Sequence, residues 1–390
     1  MAKLFNQPFD GSLGDFLIDE LRSGKFTSLN IFVAFAKTSG VKKLELPFID
    51  FKKNGGTLTI FVGIDLGGTS YEALTALLKL STRLIVVHSE SRNTYHPKIY
   101  YFSSPKSSPL LVVGSNNLTS GGLWSNFESS VIVEGTDKFL QSTIERLKTL
   151  LRNPKICKEI KKQEDLDELL ALNYITKEID NKITNKLVNK RNASRRSKLF
   201  SSFSVPSGSE EQSQSDVPIT TTIPKEYVLS TFTIMWMESK AMTGGSRNIL
   251  DLSMESRLAN SIDLIEGAVC FFGIVPTDYE EERNITLRFQ GIDYVGNTIL
   301  FPTGSKANGT WRLQIKGVDE NNNKITTKFA SLEPSGFFLQ NKILVFTKIL
   351  ENYYEFDVRE ENELNDLRMA SSLIAYNGKT SSSKLMGYIE

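Results

Sequence analysis

Three apolar runs separated by helix-like stretches constrain this chain most. SLNIFVAFA (28–36), TLTIFVGID (57–65) and RLIVVHSE (83–90) read as strands. SGVKKLELPFIDFKKNG (39–55), with a break at Pro47, and SYEALTALLKL (70–80) read as the helices between them. That alternation predicts a parallel sheet with covering helices, an α/β architecture. A helix over 13–21 precedes it. Strands over 97–103, 109–115 and 127–133 continue the sheet with no helices between them, so this half reads as antiparallel or mixed. Helices over 135–153, capped by Thr136 or Asp137, and over 157–173 follow.

The length of 390 residues favours two or three domains. A net charge of +1 gives no global field, so any nucleic-acid surface has to be a local patch. Only Cys157 and Cys270 occur, which excludes a disulfide framework and points to a reducing cytoplasm. Two histidines and two cysteines cannot build a zinc finger, and neither a metal nor a cofactor is expected. Asp10, Asp15 and Glu20 interrupt any signal-peptide pattern. No run of about 18 apolar residues is present to span a membrane.

Chemistry-bearing residues crowd into 95–134. His96 and Lys98 are two apart in a strand and share a face. LLVVGS (110–115) is an apolar strand running into the turn Gly114-Ser115-Asn116-Asn117. FESSVIV (127–133) is a third strand with Glu128 near its start. Three such strands side by side bring an imidazole, an ammonium, an amide and a carboxylate to one end of a sheet. That set suits a phosphodiester: a nucleophile, two groups for the phosphoryl oxygens, and a carboxylate to orient the imidazole.

His96-x-Lys98, Gly114-Ser115-x-Asn117 and Glu128 resemble the signature of the phospholipase D superfamily. Leu118-Thr119-x-Gly121-Gly122-Leu123 and Asn126 sharpen the resemblance. They are similar to the nuclease branch that supplies metal-independent restriction endonucleases, the BfiI-like and NgoFVII/NgoAVII-like enzymes. The superfamily's usual aspartate after the lysine is missing, since 103–108 contains no acid. In this branch a later glutamate takes its place, which Glu128 matches. The resemblance covers roughly residues 1–150.

It implies that His96 attacks phosphorus to form a phosphohistidine. Lys98 and Asn117 then hold the non-bridging oxygens, and Glu128 holds the other imidazole nitrogen. Asn116 is a second candidate for the oxygen-holding role, and Ser115 a further member of the set. The superfamily usually carries two copies of the motif. One copy here implies a homodimer, each subunit giving one histidine to a single composite site. Two other features of this half have milder readings. Gly67-Gly68-Thr69 reads first as an ordinary strand–helix turn and second as a phosphate cradle, with Asp65 on the same rim. His88 reads first as a hydrogen-bonded structural residue.

Residues 1–174 are thus expected to form a catalytic and dimerisation domain. Residues 175–224 read as a linker, basic at first and then Ser/Pro-rich. Its basic part holds eight Lys or Arg over 174–205 against Glu178 and Asp180, enough to touch phosphates or simply to be solvated. Residues 225–390 carry strand-like runs at 232–237, 267–275, 285–294, 297–302, 309–318 and 342–349, an all-β barrel or sandwich pattern, with a helix over 361–376. Two of its loops have DNA-reading composition. One spans 242–253 with Arg247 and Asn248, the other 304–313 with Lys306, Asn308, Trp311 and Arg312. They resemble the two arms of the B3-like pseudobarrel of BfiI-like enzymes. The competing reading is two surface loops whose Arg and Trp serve packing.

The function expected is sequence-specific endonuclease action on double-stranded DNA. The resemblance to NgoAVII-like enzymes, which work with a separate helicase, implies a variant in which the chain is the nuclease subunit of an ATP-dependent system, with a DNA methyltransferase as a further partner; the chain has no Walker motif with which to hydrolyse ATP itself. The alternatives are a lipid phosphodiesterase, which would need an amphipathic membrane surface that the sequence lacks, a non-catalytic DNA-binding protein, and a nonspecific nuclease.

Overall fold

A computed structural model describes residues 2–91, 93–135, 138–193, 228–242, 247–304 and 309–390. The described residues form two compact units, one running up to Glu178 and one beginning at Ile179.

The first unit runs β1 (Ala2–Gln7), α1 (Leu13–Arg22), β2 (Ser28–Val33), α2 (Thr38–Lys43), α3 (Glu45–Lys53), β3 (Thr57–Gly63), α4 (Tyr71–Leu80), β4 (Arg83–Val87), β5 (Lys98–Ser104), β6 (Ser107–Gly114), β7 (Glu128–Glu134), α5 (Lys138–Leu150), β8 (Cys157–Ile160) and α6 (Gln163–Ala171). Its eight strands lie in the order β1-β7-β6-β5-β2-β3-β4-β8. β2, β3 and β4 are parallel, as the strand–helix alternation requires, and every other pairing is antiparallel. Both faces of the parallel strands are covered. Phe32, Phe61, Ile85 and Val87 pack with Ile144 of α5, while Ile31, Val33, Ile60, Val62, Leu84 and Val86, which alternate with them, are also buried. That double burial is why these strands read as unbroken apolar runs.

Three expectations change here. The helix over 39–55 breaks at Leu44, and Pro47 sits in the first turn of α3, where a missing N–H costs nothing. Cys157–Ile160, the start of the helix expected over 157–173, is a strand pairing antiparallel with β4. Ala2–Gln7 is an edge strand on β7, a pairing that no local pattern announces. The caps proposed for α5, Thr136 and Asp137, lie outside the described residues.

The second unit starts with α7 (Glu178–Ala193), of which Ile179 is buried with Ile234, Trp236 and Leu367. It continues with β9 (Ile234–Glu238), β10 (Ile249–Leu252), β11 (Glu255–Leu258), β12 (Leu264–Glu266), β13 (Arg283–Phe289), β14 (Ile292–Leu300), β15 (Trp311–Gln314), α8 (Ile325–Leu332), β16 (Lys342–Leu350), β17 (Tyr353–Glu360), α9 (Leu364–Ala370), β18 (Leu373–Tyr376) and β19 (Leu385–Ile389). The strands form one sheet in the order β10-β15-β14-β13-β17-β16-β9-β19-β18-β11-β12, antiparallel except for β13 against β17. Among the described residues the end strands β10 and β12 do not pair, so the barrel or sandwich pattern expected here takes the form of an open strand order. Leu250 from β10 and Leu373 from β18 nevertheless share one buried cluster, so the sheet curls around its own core.

Residues 267–275, expected as a strand, contain a 3-10 helix over Ala268–Phe272 whose five residues are all buried. Burial on every side removes the periodicity that would separate the two forms. The run 285–294 folds back on itself at Gln290-Gly291 as the β13–β14 hairpin, both turn residues having positive φ. The helix expected over 361–376 stops at Ala370, and Leu373–Tyr376 joins the sheet.

Trp311 is fully buried, donates its ring N–H to the Pro276 carbonyl at 3.0 Å and packs edge-on against Phe301. Trp311→Ala is expected to cost the second unit about 3–5 kcal/mol, read as a lower urea midpoint for that unit.

Candidate active site

Strand directions in the first sheet decide what meets where. The carboxyl ends of β1, β2, β3, β4 and β6 and the amino ends of β5 and β7 lie at one end of the sheet. The registers Gln7↔Glu128, Gly114↔Ser130, Val33↔Lys98 and Gly63↔Val87 fix this. His96 and Lys98 thus share an end with Ser115–Asn117 and Glu128, as the sequence predicts. Gly114 is required at its position, because a Cβ there would lie 1.9 Å from the Ser130 hydroxyl.

His96 is exposed, and its ring stands edge-on to Phe35 with centroids 5.4 Å apart. Lys98 is 8% exposed. Its Nζ lies 2.7 Å from His96 Nδ1, 3.1 Å from Nε2 and 3.2 Å from the His96 carbonyl oxygen. An ammonium only donates, so the imidazole accepts at this contact. Burial pushes the Lys98 ammonium below the usual lysine range, and the Glu128 carboxylate acts against that shift.

The turn after β6 separates two asparagines with different roles. Asn116 is buried, donates to the Gly122 carbonyl at 2.7 Å and accepts from the Ser130 hydroxyl at 2.5 Å, while Tyr100 donates to its backbone carbonyl at 3.1 Å. Its amide is thus tied to the fold through both the oxygen and the nitrogen. Asn117 accepts the Phe35 N–H with its side-chain oxygen at 3.2 Å. Glu128 accepts from the Ser115 hydroxyl and from Asn126 Nδ2 at 3.2 Å.

The expected Glu128–imidazole hydrogen bond is not formed among the described residues. β6 lies between β5 and β7, and strands sit roughly 4.8 Å apart, so the carboxylate acts on Lys98 through space and on Ser115 by contact. Behind the turn, buried Gln7 donates to the Asn126 carbonyl at 3.0 Å and accepts the Leu13 N–H at 3.0 Å.

Asp65, just past β3, and His88, just past β4, reach the same end. His88 Nδ1 lies 2.6 Å from one Asp65 carboxylate oxygen, and the other oxygen accepts the Tyr95 N–H at 3.0 Å. The Gly67-Gly68-Thr69 turn is an ordinary packed turn. The buried Thr69 hydroxyl donates to the Gly63 carbonyl at 2.6 Å and accepts the Ala36 N–H at 3.1 Å. Among the described residues no three of His, Cys, Asp and Glu gather as a metal ion would require.

In the second unit the residues proposed to read DNA diverge. Trp311 belongs to the core, which corrects its assignment to a reading loop. Arg312, beside it on the other face of β15, is half-buried with Nε 3.6 Å from Asp251. Arg247 is exposed, donates to the Ser335 carbonyl at 2.8 Å and lies over the Phe337 ring at 4.1 Å. Asn248 donates to the Ile315 carbonyl at 2.7 Å, extending the β10–β15 pairing. Lys306 and Asn308 lie outside the described residues.

An α/β unit with a mixed sheet and a His–Lys–Asn–Glu set at one end is the class that fold and site define. No protein-family model and no curated protein matches the chain. Solved structures similar to part of it include Nuc from Salmonella typhimurium, a phospholipase D family member, at 16% identity over 42% of this chain and 99% of that one, TM-score 0.32. NucT from Helicobacter pylori is similar at 15% identity over 38% of this chain and 95% of that one, TM-score 0.29. Yeast tyrosyl-DNA phosphodiesterase is similar at 19% identity over 45% of this chain and 41% of that one, TM-score 0.26.

Proposed function

We propose that this chain hydrolyses DNA phosphodiester bonds as a sequence-specific restriction endonuclease, by metal-independent attack of His96 on phosphorus. The observation that carries this reading is the meeting of His96, Lys98, Asn117 and Glu128 at one end of the sheet, with Lys98 against the imidazole. In the first step the His96 nitrogen bonds to phosphorus, and the P–O bond to the leaving oxygen breaks as that oxygen takes a proton. Water then cleaves the P–N bond. Lys98 and the Asn117 amide neutralise the phosphoryl oxygens as charge builds on them.

The proton donor is the second histidine that one motif copy lacks, so the reading includes a homodimer with a composite site. Leu4, Val131 and Val113, cross-strand partners on β1, β7 and β6, form an exposed apolar row beside the site, which favours a second copy there. The second unit is proposed as the B3-like DNA reader, with exposed Arg247 and residues 304–310, before β15, as its reading parts. A separate helicase and a DNA methyltransferase are proposed partners of the ATP-dependent variant.

The test is cleavage of supercoiled plasmid in EDTA, followed by sequencing of the ends. Discrete ends at one sequence are expected. A smear would point to a nonspecific nuclease, and cutting only on re-addition of a divalent ion would remove the metal-independent mechanism.

A further inference from the structure

We infer that Asp65 is a positioning residue for His96: one carboxylate ties the His88 imidazole to the backbone of the residue that precedes the nucleophile. The inference rests on the phosphodiesterase reading for its kinetic consequence but not for its geometry.

His96 sits in the segment between β4 and β5, which has no helix or strand to hold it. Among the contacts of its described residues, three link it to other parts of the chain at its start, middle and end. At its start the His88 N–H donates to the Ile156 carbonyl at 2.9 Å. In its middle Glu90 accepts the Tyr174 hydroxyl at 2.6 Å, and the Tyr174 ring stands edge-on to His88 with centroids 5.3 Å apart. At its end Asp65 holds the Tyr95 N–H at 3.0 Å. Of the three, only the Asp65 contact lies beside His96.

The Asp65 carboxylate is well suited to this task. Its side chain is 10% exposed, so water competes poorly for it, and its two oxygens take two donors from different strand ends. Tyr95 is seated by the same stretch of chain. A Cβ on Gly63 would lie 3.1 Å from the Tyr95 ring and carbonyl oxygen, so the close approach needs glycine there. The Tyr95 ring packs on the Phe32–Phe61 cluster. His96 therefore leaves a backbone point defined by Asp65 and Gly63, and its ring meets Phe35 and Lys98 from that point. His88 takes the carboxylate's other oxygen from Nδ1, so the oxygen that holds Tyr95 is not the one His88 occupies.

The test uses the full chain labelled with ¹⁵N-histidine. Two histidines give two imidazole signal sets, assigned with His88→Gln and His96→Gln. Asp65→Asn keeps one acceptor oxygen but places an amide NH₂ against one of the two donors. The expected result is that the His96 ring signals shift or broaden in Asp65→Asn along with those of His88. Movement of the His88 signals alone would overturn the inference. This arm needs no substrate, so it reads the tether even if the wild-type chain cleaves no DNA.

The kinetic arm compares Asp65→Ala with His88→Gln. Asp65→Ala is expected to lower kcat on the order of 10- to 100-fold with KM nearly unchanged, as for a displaced reacting group. His88→Gln keeps the Tyr95 contact and is expected to lose far less. A loss in His88→Gln equal to that in Asp65→Ala would place the effect in His88 and overturn the role given to Asp65. If Asp65→Ala does not fold, amide exchange of Tyr95 in the wild-type chain decides: protection supports the tether, and free exchange overturns it.

Discussion

Replacing His96 with alanine is expected to reduce cleavage to background, because on the proposed reading its imidazole forms the covalent bond to phosphorus. Loss of a nucleophile removes the whole covalent route, whereas loss of a supporting group removes only part of the stabilisation. The wild-type chain, denatured in alkali during a single turnover, should carry end-labelled DNA bound through a P–N bond. That bond survives alkali and is lost in acid, the reverse of a phosphoserine ester. The His96→Ala chain should carry none. Mixed dimers of wild-type and His96→Ala chains should also be near background, since a composite site needs both imidazoles. Residual cutting above about a hundredth of the wild-type rate would exclude His96 as the nucleophile.

The second large effect is at Lys98. Lys98→Ala should lower kcat by roughly a hundred- to a thousandfold, the range for one group facing a developing oxyanion. The pH dependence carries a sign as well. Burial lowers the Lys98 ammonium pKa and Glu128 raises it. Removing the Glu128 charge as Gln lets burial act unopposed, so Lys98 loses its proton at lower pH. The alkaline limb of the kcat profile should move to lower pH in Glu128→Gln. An unmoved limb, with only a uniform loss of rate, would mean that Glu128 acts through Ser115 and Asn126 and not on Lys98.

The site was legible where its residues are close in sequence. His96 and Lys98 are two apart, Ser115 to Asn117 form one turn, and Glu128 opens the next strand, so local pattern placed them at one sheet end. Partners that only the fold brings together were not legible. Asp65 and His88 lie 23 residues apart on different strand ends, and the Phe35 N–H that orients Asn117 is 82 residues from it. Asn116 and Asn117 look alike in sequence, and only burial shows that one serves the fold.

Trp311 was misplaced although a signal existed. WRLQ alternates apolar and polar residues, which puts Trp311 and Leu313 on the core face and Arg312 and Gln314 on the other. The Gly-, Lys- and Asn-rich residues just before it give the stretch a loop-like composition that masks this alternation. Cys157–Ile160 is too short for a period to emerge, and its pairing with β4 decides its form.

The pairing of β1 with β7 bears on how the protein is made. β1 is synthesised before its partner, which lies more than a hundred positions later, so it must wait unpaired until β7 emerges. Gln7 waits with it, and so does the turn that carries Asn126. The second unit is synthesised later still. During translation the sheet end bearing His96 and Lys98 is therefore complete before the second unit, and the nascent chain passes through a stage at which it holds the groups proposed to cut without the unit proposed to choose the target.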